Sequence, residues 1–130
     1  NYKILGICLG MQLIASKGFE LGTFQGLGWI SGTVEIMKSS KDCRIPHIGW
    51  NDVNITKDNI LYRGLGEHLT FYFVHSYALI PSNIDIISGQ TNHSHQFVSS
   101  IEFENIFATQ FHPEKSQKSG MKLLKNFTNI

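Results

Sequence analysis

Residues 6–12, with the sequence GICLGMQ, join a strand-like segment to a helix-like segment, and this junction decides the fold class of the chain. Residues 3–7 are a short apolar run of the kind found in buried strands. Residues 9–17 place apolar side chains at helical spacing, and Gly18 is suited to end that helix. We therefore predict a strand, a sharp turn at Cys8 and then a helix.

The pattern Gly-x-Cys-x-Gly between a strand and a helix is typical of a nucleophile elbow, in which small residues allow a sharp turn that exposes the central side chain. It predicts that Cys8 is a nucleophile at a helix N-terminus, where free N–H groups and the helix dipole favour a thiolate. The N–H of Leu9 is the first candidate to stabilise an oxyanion. A buried, inert cysteine beside packing glycines is the alternative, which the strand and helix on either side make weaker.

A thiol nucleophile needs a general base, and His112 is the best placed of the six histidines. It ends a predicted strand within residues 110–114, QFHPE, and Glu114 follows two residues later. Since Pro113 restricts the backbone between them, the Glu114 carboxylate is well placed to hold the second imidazole nitrogen, as in a catalytic triad. A surface His–Glu pair without a role is the alternative, and the cysteine elbow favours the catalytic interpretation.

The remaining segments predict an α/β fold whose second half is largely antiparallel. Turn residues at 92–95 and 104–105 resemble hairpin connections, and residues 115–127 return to helical spacing. We expect one mixed sheet flanked by helices. Short runs rich in Ile, Val, Phe, Tyr and Thr predict strands at residues 33–37, 52–55, 71–76, 85–91, 97–103 and 106–111.

The composition is that of one soluble domain of 130 residues, with 42% hydrophobic residues, 16% charged residues and a net charge of +1. We expect neither disorder nor a nucleic-acid partner. No apolar run approaches the ~20 residues needed to cross a bilayer, so we expect a cytoplasmic protein without a membrane partner. Cys8 and Cys43 form no disulfide framework. His93 and His95 supply too few ligands for zinc, so we predict neither a metal nor a cofactor.

Two motifs about a hundred residues apart, residues 6–12 and residues 110–116 (QFHPEKS), together resemble the class I glutamine amidotransferases. Within that class, three further motifs resemble the glutaminase subunits of imidazole glycerol phosphate synthases: GLGWI at 26–30, PHIGWN at 46–51 and FVHSY at 73–77. The matches follow the family order over nearly the whole chain. The resemblance implies a flavodoxin-like mixed sheet and a glutaminase that supplies ammonia for histidine biosynthesis.

The resemblance also implies the catalytic roles. Cys8 would attack the side-chain amide of L-glutamine, His112 would carry the proton to the departing ammonia, and Glu114 would orient His112. Water would then hydrolyse the glutamyl thioester to glutamate. This mechanism agrees with the roles that the residue types and their spacing indicate by themselves.

Substrate and partner residues follow only from the resemblance. It implies that Gln12 and Glu20 hold glutamine and that Ser76 and Tyr77 line the same pocket. An exposed helix residue at Gln12 and a solvated charge at Glu20 stay open as alternatives. The resemblance further implies a heterodimer with a cyclase subunit, whose contacts with this chain would include Trp50, Tyr72 and Lys115. For Trp50, packing in the core is an almost equal alternative.

Family members carry a preceding section with the first strands of the sheet and a glycine-rich oxyanion strand, and nothing in residues 1–130 resembles either. We therefore expect an N-terminally incomplete amidotransferase domain. Since an oxyanion donor is worth roughly 10²–10³ in rate, we expect residues 1–130 alone to be a poor glutaminase. Two other interpretations remain: a paralogue that aminates a surface-polysaccharide sugar, and a catalytically silent interaction fragment.

Overall fold

The computed structural model describes residues 2–67 and 69–130, which form eleven strands and two α-helices. The helices are α1 (Leu9–Leu13) and α2 (Gln117–Thr128), and neither is long and apolar enough to cross a membrane. The strands are β1 (Ile4–Ile7), β2 (Ala15–Gly18), β3 (Phe24–Gln25), β4 (Ile30–Ile36), β5 (His47–Asp52), β6 (Asn54–Ile55), β7 (Thr70–His75), β8 (Tyr77–Pro81), β9 (Ile87–His93), β10 (His95–Phe103) and β11 (Ile106–Thr109).

The strands of the described residues form three sheets, of which the largest has the order β1-β11-β10-β9-β6. In it, β1 runs parallel to β11, and the other neighbours are antiparallel. A second sheet has the order β3-β2-β4-β8, and β5 pairs with β7 in a third. The predicted α/β class, the mixed sheet and the antiparallel second half are therefore confirmed, although the strands divide among several sheets.

Both predicted hairpin turns are confirmed. Ser94 connects β9 to β10 with a φ of 67°, and Glu104 lies between β10 and β11 with a φ of 55°. Positive φ values of this kind are typical of tight hairpin connections. These turns fix the antiparallel order of the last three strands, and β11 pairs with β1 on its other side.

The helix predicted over residues 9–17 is wrong beyond Leu13, because Ala15–Gly18 form β2 instead. The carbonyl groups of residues 13–16 accept hydrogen bonds from N–H groups within residues 26–30, including Gly28 N–H to Ala15 O at 3.0 Å. A Cβ at Gly26 would lie 2.1 Å from Ala15 O, so only glycine permits this approach. Tertiary pairing therefore overrides the local helical spacing.

Other boundaries also differ from prediction. The strand predicted over residues 52–55 is split, since β5 ends at Asp52 and β6 contains only Asn54–Ile55. Most of β5 and the whole of β8 were not predicted. Turn-forming and polar residues in β5, such as Gly49, interrupt the alternation of apolar and polar residues that predicts a strand. The segment is extended because it pairs antiparallel with β7.

Gly6 permits the close contact between β1 and α1 that forms the turn around Cys8. A Cβ at Gly6 would lie 2.9 Å from both the carbonyl carbon and the carbonyl oxygen of Gly10. A Cβ at Gly10 would meet no atom within 4 Å. The two glycines of the elbow therefore differ, and only the first is required by this packing.

We predict that Gly6→Ala lowers the free energy of unfolding by about 1–3 kcal/mol, because backbone atoms must move to accept the new methyl group. Gly10→Ala is the matched control, and it should leave the free energy of unfolding unchanged or raise it by up to about 1 kcal/mol, because alanine favours a helix. Urea unfolding followed by circular dichroism measures both variants. Equal destabilisation by the two substitutions would contradict this account of the elbow.

Candidate active site

The parallel pair β1 and β11 brings the two halves of the site to one sheet edge. Ile7 and Thr109 are partners at the carboxyl ends of these strands, and the N–H of Cys8 donates to the carbonyl oxygen of Thr109 at 2.8 Å. His112 follows β11 by three residues. The predicted nucleophile and base, 104 positions apart in the chain, thus follow neighbouring strands at the same edge.

Cys8 occupies a strained backbone conformation, with φ 53° and ψ −104°. Such a conformation is unfavourable for a residue with a side chain and is typical of nucleophile elbows. The N–H groups of Met11 and Gln12 donate to the Cys8 carbonyl oxygen at 3.1 and 3.3 Å, so the turn leads directly into α1. The structure therefore has the strand, sharp turn and helix that the sequence predicts.

The expectation that the helix terminus favours a thiolate needs correction. Burial raises the pKa of Cys8 above its ordinary value, and hydrogen bonds from Leu9 N–H and the Gln110 side chain oppose this effect without cancelling it. Because α1 has only five residues, its dipole is weak. The same Leu9 N–H is the predicted oxyanion donor, and it belongs to the first residue of α1, directly after Cys8.

His112 and Glu114 form a hydrogen-bonded pair, with 3.0 Å between His112 Nδ1 and Glu114 Oε2. This bond leaves Nε2 as the imidazole nitrogen that can exchange a proton with a thiol. The backbone N–H of His112 donates to Tyr72 O at 2.9 Å, and Ser116 Oγ donates to the backbone carbonyl oxygen of His112 at 2.6 Å. The turn that carries the pair is therefore anchored to β7.

Gln12 is partly buried, and its side-chain amide is hydrogen-bonded within the site. Its Nε2 donates to Tyr77 O at 3.1 Å and to Gln110 Oε1 at 3.2 Å. Gln110 is fully buried, and its Nε2 donates to Cys8 Sγ at 3.7 Å. Gln110 was not predicted as a site residue, although a polar side chain at the end of an apolar strand was a possible signal.

The predicted substrate residues fall into two groups. Leu9, Gln12 and the exposed Glu20 line one open cleft of about 370 Å³. Ser76 and Tyr77 do not line this cleft, and Tyr77 reaches the site through the bond from Gln12 to its carbonyl oxygen. The structure thus brings Tyr77 to Gln12, and it leaves Ser76 in the bend between β7 and β8.

The three predicted partner residues lie near the His112 turn. Trp50 pairs with Tyr72 across β5 and β7, their ring centroids are 6.0 Å apart, and Trp50 is 49% exposed. This exposure excludes the core-packing alternative for Trp50. Lys115 directly follows Glu114 in the 3-10 turn Pro113–Lys115. Tyr72 therefore connects this surface to His112 through its backbone.

Two buried histidines, which had no assigned role, form an ordered chain behind the site. His75 Nδ1 donates to Tyr77 O at 2.9 Å, and His47 Nδ1 lies 2.9 Å from His75 Nε2. Because a backbone carbonyl only accepts, His75 carries its proton on Nδ1, and His47 must be the donor between the two rings. Burial, with neighbouring histidines adding to it, lowers the pKa of both rings from 6.5 to about 4.

No group of three or more His, Cys, Asp or Glu side chains with the geometry of a metal site occurs in the described part of the chain. A mixed sheet with a strained cysteine between β1 and α1 defines an α/β protein of the nucleophile-elbow type. Residues 1–130 match the family described as glutamine amidotransferase class-I. The chain belongs to this family.

Curated relatives and solved structures agree with the family match. The imidazole glycerol phosphate synthase subunit HisH of Pelagibacter ubique (strain HTCC1062) is 48% identical over 128 residues, covering 98% of this chain and 62% of that protein. The subunit of the same name from Pyrococcus furiosus is 50% identical over 127 residues, covering 97% and 64%. A glutamine amidotransferase structure from Thermotoga maritima superposes with a TM-score of 0.63 at 18% identity, covering 96% of this chain and 46% of that chain. The chain thus spans less than two thirds of these relatives.

We predict that the free energy of unfolding falls as the pH is lowered from 6.5 towards 4. In this range, His47 and His75 bind protons in the unfolded chain but not in the folded protein. Their contribution to the free energy of unfolding is therefore complete above pH 6.5 and is lost as the pH falls towards 4. At about 1.4 kcal/mol per pKa unit, one such imidazole contributes about 3 kcal/mol. Urea unfolding at several pH values measures this slope.

His47→Gln should flatten the slope, since glutamine retains a donor and an acceptor without titrating. The matched control is His95→Gln, which changes an exposed histidine and should retain the wild-type slope. A His47→Gln protein that loses stability in acid as steeply as the wild type would contradict the assignment.

Proposed function

We propose that the protein is a glutaminase, which hydrolyses L-glutamine to glutamate and ammonia with Cys8 as nucleophile. One observation carries the proposal. The β1–β11 pair places the strained Cys8 elbow at the same sheet edge as His112, whose Nδ1 is already bonded to Glu114. Acyl transfer through a thiol uses a nucleophile together with a base that a carboxylate holds, so this placement and the family membership support the proposal.

In the proposed reaction, the Cys8 thiol gives its proton to His112, and the sulfur attacks the side-chain carbonyl carbon of glutamine. The C–N bond then breaks, and the same proton leaves on the ammonia while a glutamyl thioester remains on Cys8. Water, deprotonated by His112, attacks the thioester and releases glutamate and the free thiol. Glu114 holds the imidazole so that Nε2 performs both transfers.

The proposal assigns substrate contacts to the cleft beside α1. The N–H of Leu9 would stabilise the oxyanion that forms on the attacked carbonyl group, because it directly follows Cys8 at the start of α1. Gln12 and Glu20 share that cleft, and the carboxylate of Glu20 suits the α-ammonium group of glutamine. Ser76 and Tyr77 would complete the pocket, with Tyr77 holding Gln12 in place.

We also propose that ammonia passes to a cyclase subunit in a heterodimer that makes imidazole glycerol phosphate for histidine biosynthesis in the cytoplasm. The names of the curated relatives support this pathway. The exposed Trp50, its neighbour Tyr72 and Lys115 would contact the cyclase, since an aromatic anchor beside a charged side chain is typical of interface hot spots. In this proposal, residues 1–130 are part of one amidotransferase domain.

We predict that an electrophilic glutamine analogue labels Cys8 in the complete protein and spares Cys43. His112→Ala should slow this labelling by about 10²–10⁴, because the thiol loses its base. Mass spectrometry of peptides after timed exposure measures each cysteine. Cys43→Ser is the matched control and should leave the rate of Cys8 labelling unchanged. Equal labelling of both cysteines would instead favour a catalytically silent interaction protein.

We predict that Trp50→Ala weakens binding to the cyclase at least about tenfold, as expected for a central aromatic anchor. Trp29→Ala is the matched control, because Trp29 is 48% exposed, almost the same as Trp50, but lines a different depression with Ile86 and Phe103. Titration calorimetry with a cyclase that is active on free ammonia measures both variants. If the wild-type protein fails to supply that cyclase from glutamine, the sugar-aminating paralogue is favoured.

A further inference from the structure

The side chain of Gln110 is fully buried at the end of β11, and both ends of its amide have partners. Its Nε2 donates to Cys8 Sγ at 3.7 Å, and its Oε1 accepts from Gln12 Nε2 at 3.2 Å. A buried amide is costly unless it is hydrogen-bonded, so a specific contact explains a polar residue at this position. Its contact with a sulfur nucleophile suggests a chemical role.

The orientation of the Gln110 amide follows from a backbone group two hydrogen bonds away. The carbonyl oxygen of Tyr77 only accepts, so Gln12 must present its Nε2 there. The same Nε2 donates to Gln110, which must therefore present Oε1 to it. The Gln110 N–H consequently faces Cys8, and a flipped amide would oppose two N–H groups and place an oxygen against the sulfur.

The two hydrogen-bond partners of Cys8 Sγ favour opposite protonation states of the Cys8 side chain. The thiol S–H donates to the carbonyl oxygen of Val74 at 3.8 Å, which favours the neutral thiol. Gln110 Nε2 donates to the sulfur, which favours the thiolate because hydrogen bonds to an ionised acceptor are stronger. When the proton moves from Cys8 to His112, the Val74 contact is lost and the Gln110 contact strengthens.

We propose that Gln110 stabilises the Cys8 thiolate through its Nε2 donor and that Gln12 is a positioning residue that fixes the orientation of this donor. Gln12 acts here before any substrate binds, which is additional to a role in holding glutamine. The inference rests on the proposed nucleophilic role of Cys8. It concerns the ionisation of the free protein, so glutamine turnover is not needed to test it.

The test is the pH dependence of Cys8 alkylation by iodoacetamide in a Cys43→Ser background, followed by mass spectrometry of the complete protein. Gln110→Met keeps the length of the side chain and removes the donor. We expect it to raise the pH at which alkylation reaches half of its maximal rate, the midpoint, by about 0.5–1 unit. We also expect it to slow alkylation at pH 7 about three- to tenfold. Gln12→Met should shift the midpoint in the same direction by less, since the Gln110 amide becomes free to flip.

Ser100→Ala is the matched control, because Ser100 lies on β10, next to β11, and the substitution removes a buried hydrogen bond from Tyr62 without touching Cys8. It should leave the midpoint unchanged. A wild-type midpoint in folded Gln110→Met overturns the proposal, and so does an equal shift in Ser100→Ala, which would indicate a structural effect. If Gln110→Met does not fold, the midpoint of Gln12→Met decides. Failure of glutamine hydrolysis with the expected shifts would contradict only the proposed function.

Discussion

The parallel pairing of β1 with β11 is the constraint on which the site depends. It is fixed by the register Ile7 with Thr109 and extended by the bond from Cys8 N–H to Thr109 O. A shift of one residue would turn alternate side chains to the opposite face and move Cys8 away from the His112 turn. The hairpin turns at Ser94 and Glu104 fix the position of β11 against β10, its other neighbour in the sheet.

Buried polar groups behind the nucleophile form one ordered network that converges on Tyr77 O. His75 Nδ1 and Gln12 Nε2 both donate to this oxygen, so its position orients an imidazole on one side and an amide on the other. Through His75 the network reaches His47, and through Gln12 it reaches Gln110 and the sulfur. Such a network is favourable only when every member has its hydrogen-bond partners. The folded state therefore requires neutral imidazoles and correctly oriented amides.

The proposed nucleophile is held at an energetic cost. Cys8 has a strained backbone, and burial raises the pKa of its thiol, so the surrounding donors must oppose the preference for the neutral form. His112, the proposed base, is held more simply, by Glu114 on its own turn and by Tyr72 on β7. Because Tyr72 also packs against Trp50, the exposed aromatic pair and the base share one strand. The proposed partner surface and the site therefore have a common support.

The sequence by itself determined the fold class, the elbow at Cys8 and the hairpins, since periodicity, turn residues and glycine spacing are local signals. It also placed His112 and Glu114 together, because only Pro113 separates them. Only the tertiary structure decided that residues 15–18 form β2 and that Gln110 faces the sulfur. Strand pairing and amide orientation depend on partners far along the chain, and no local pattern records which carbonyl oxygen will lie opposite a given side chain.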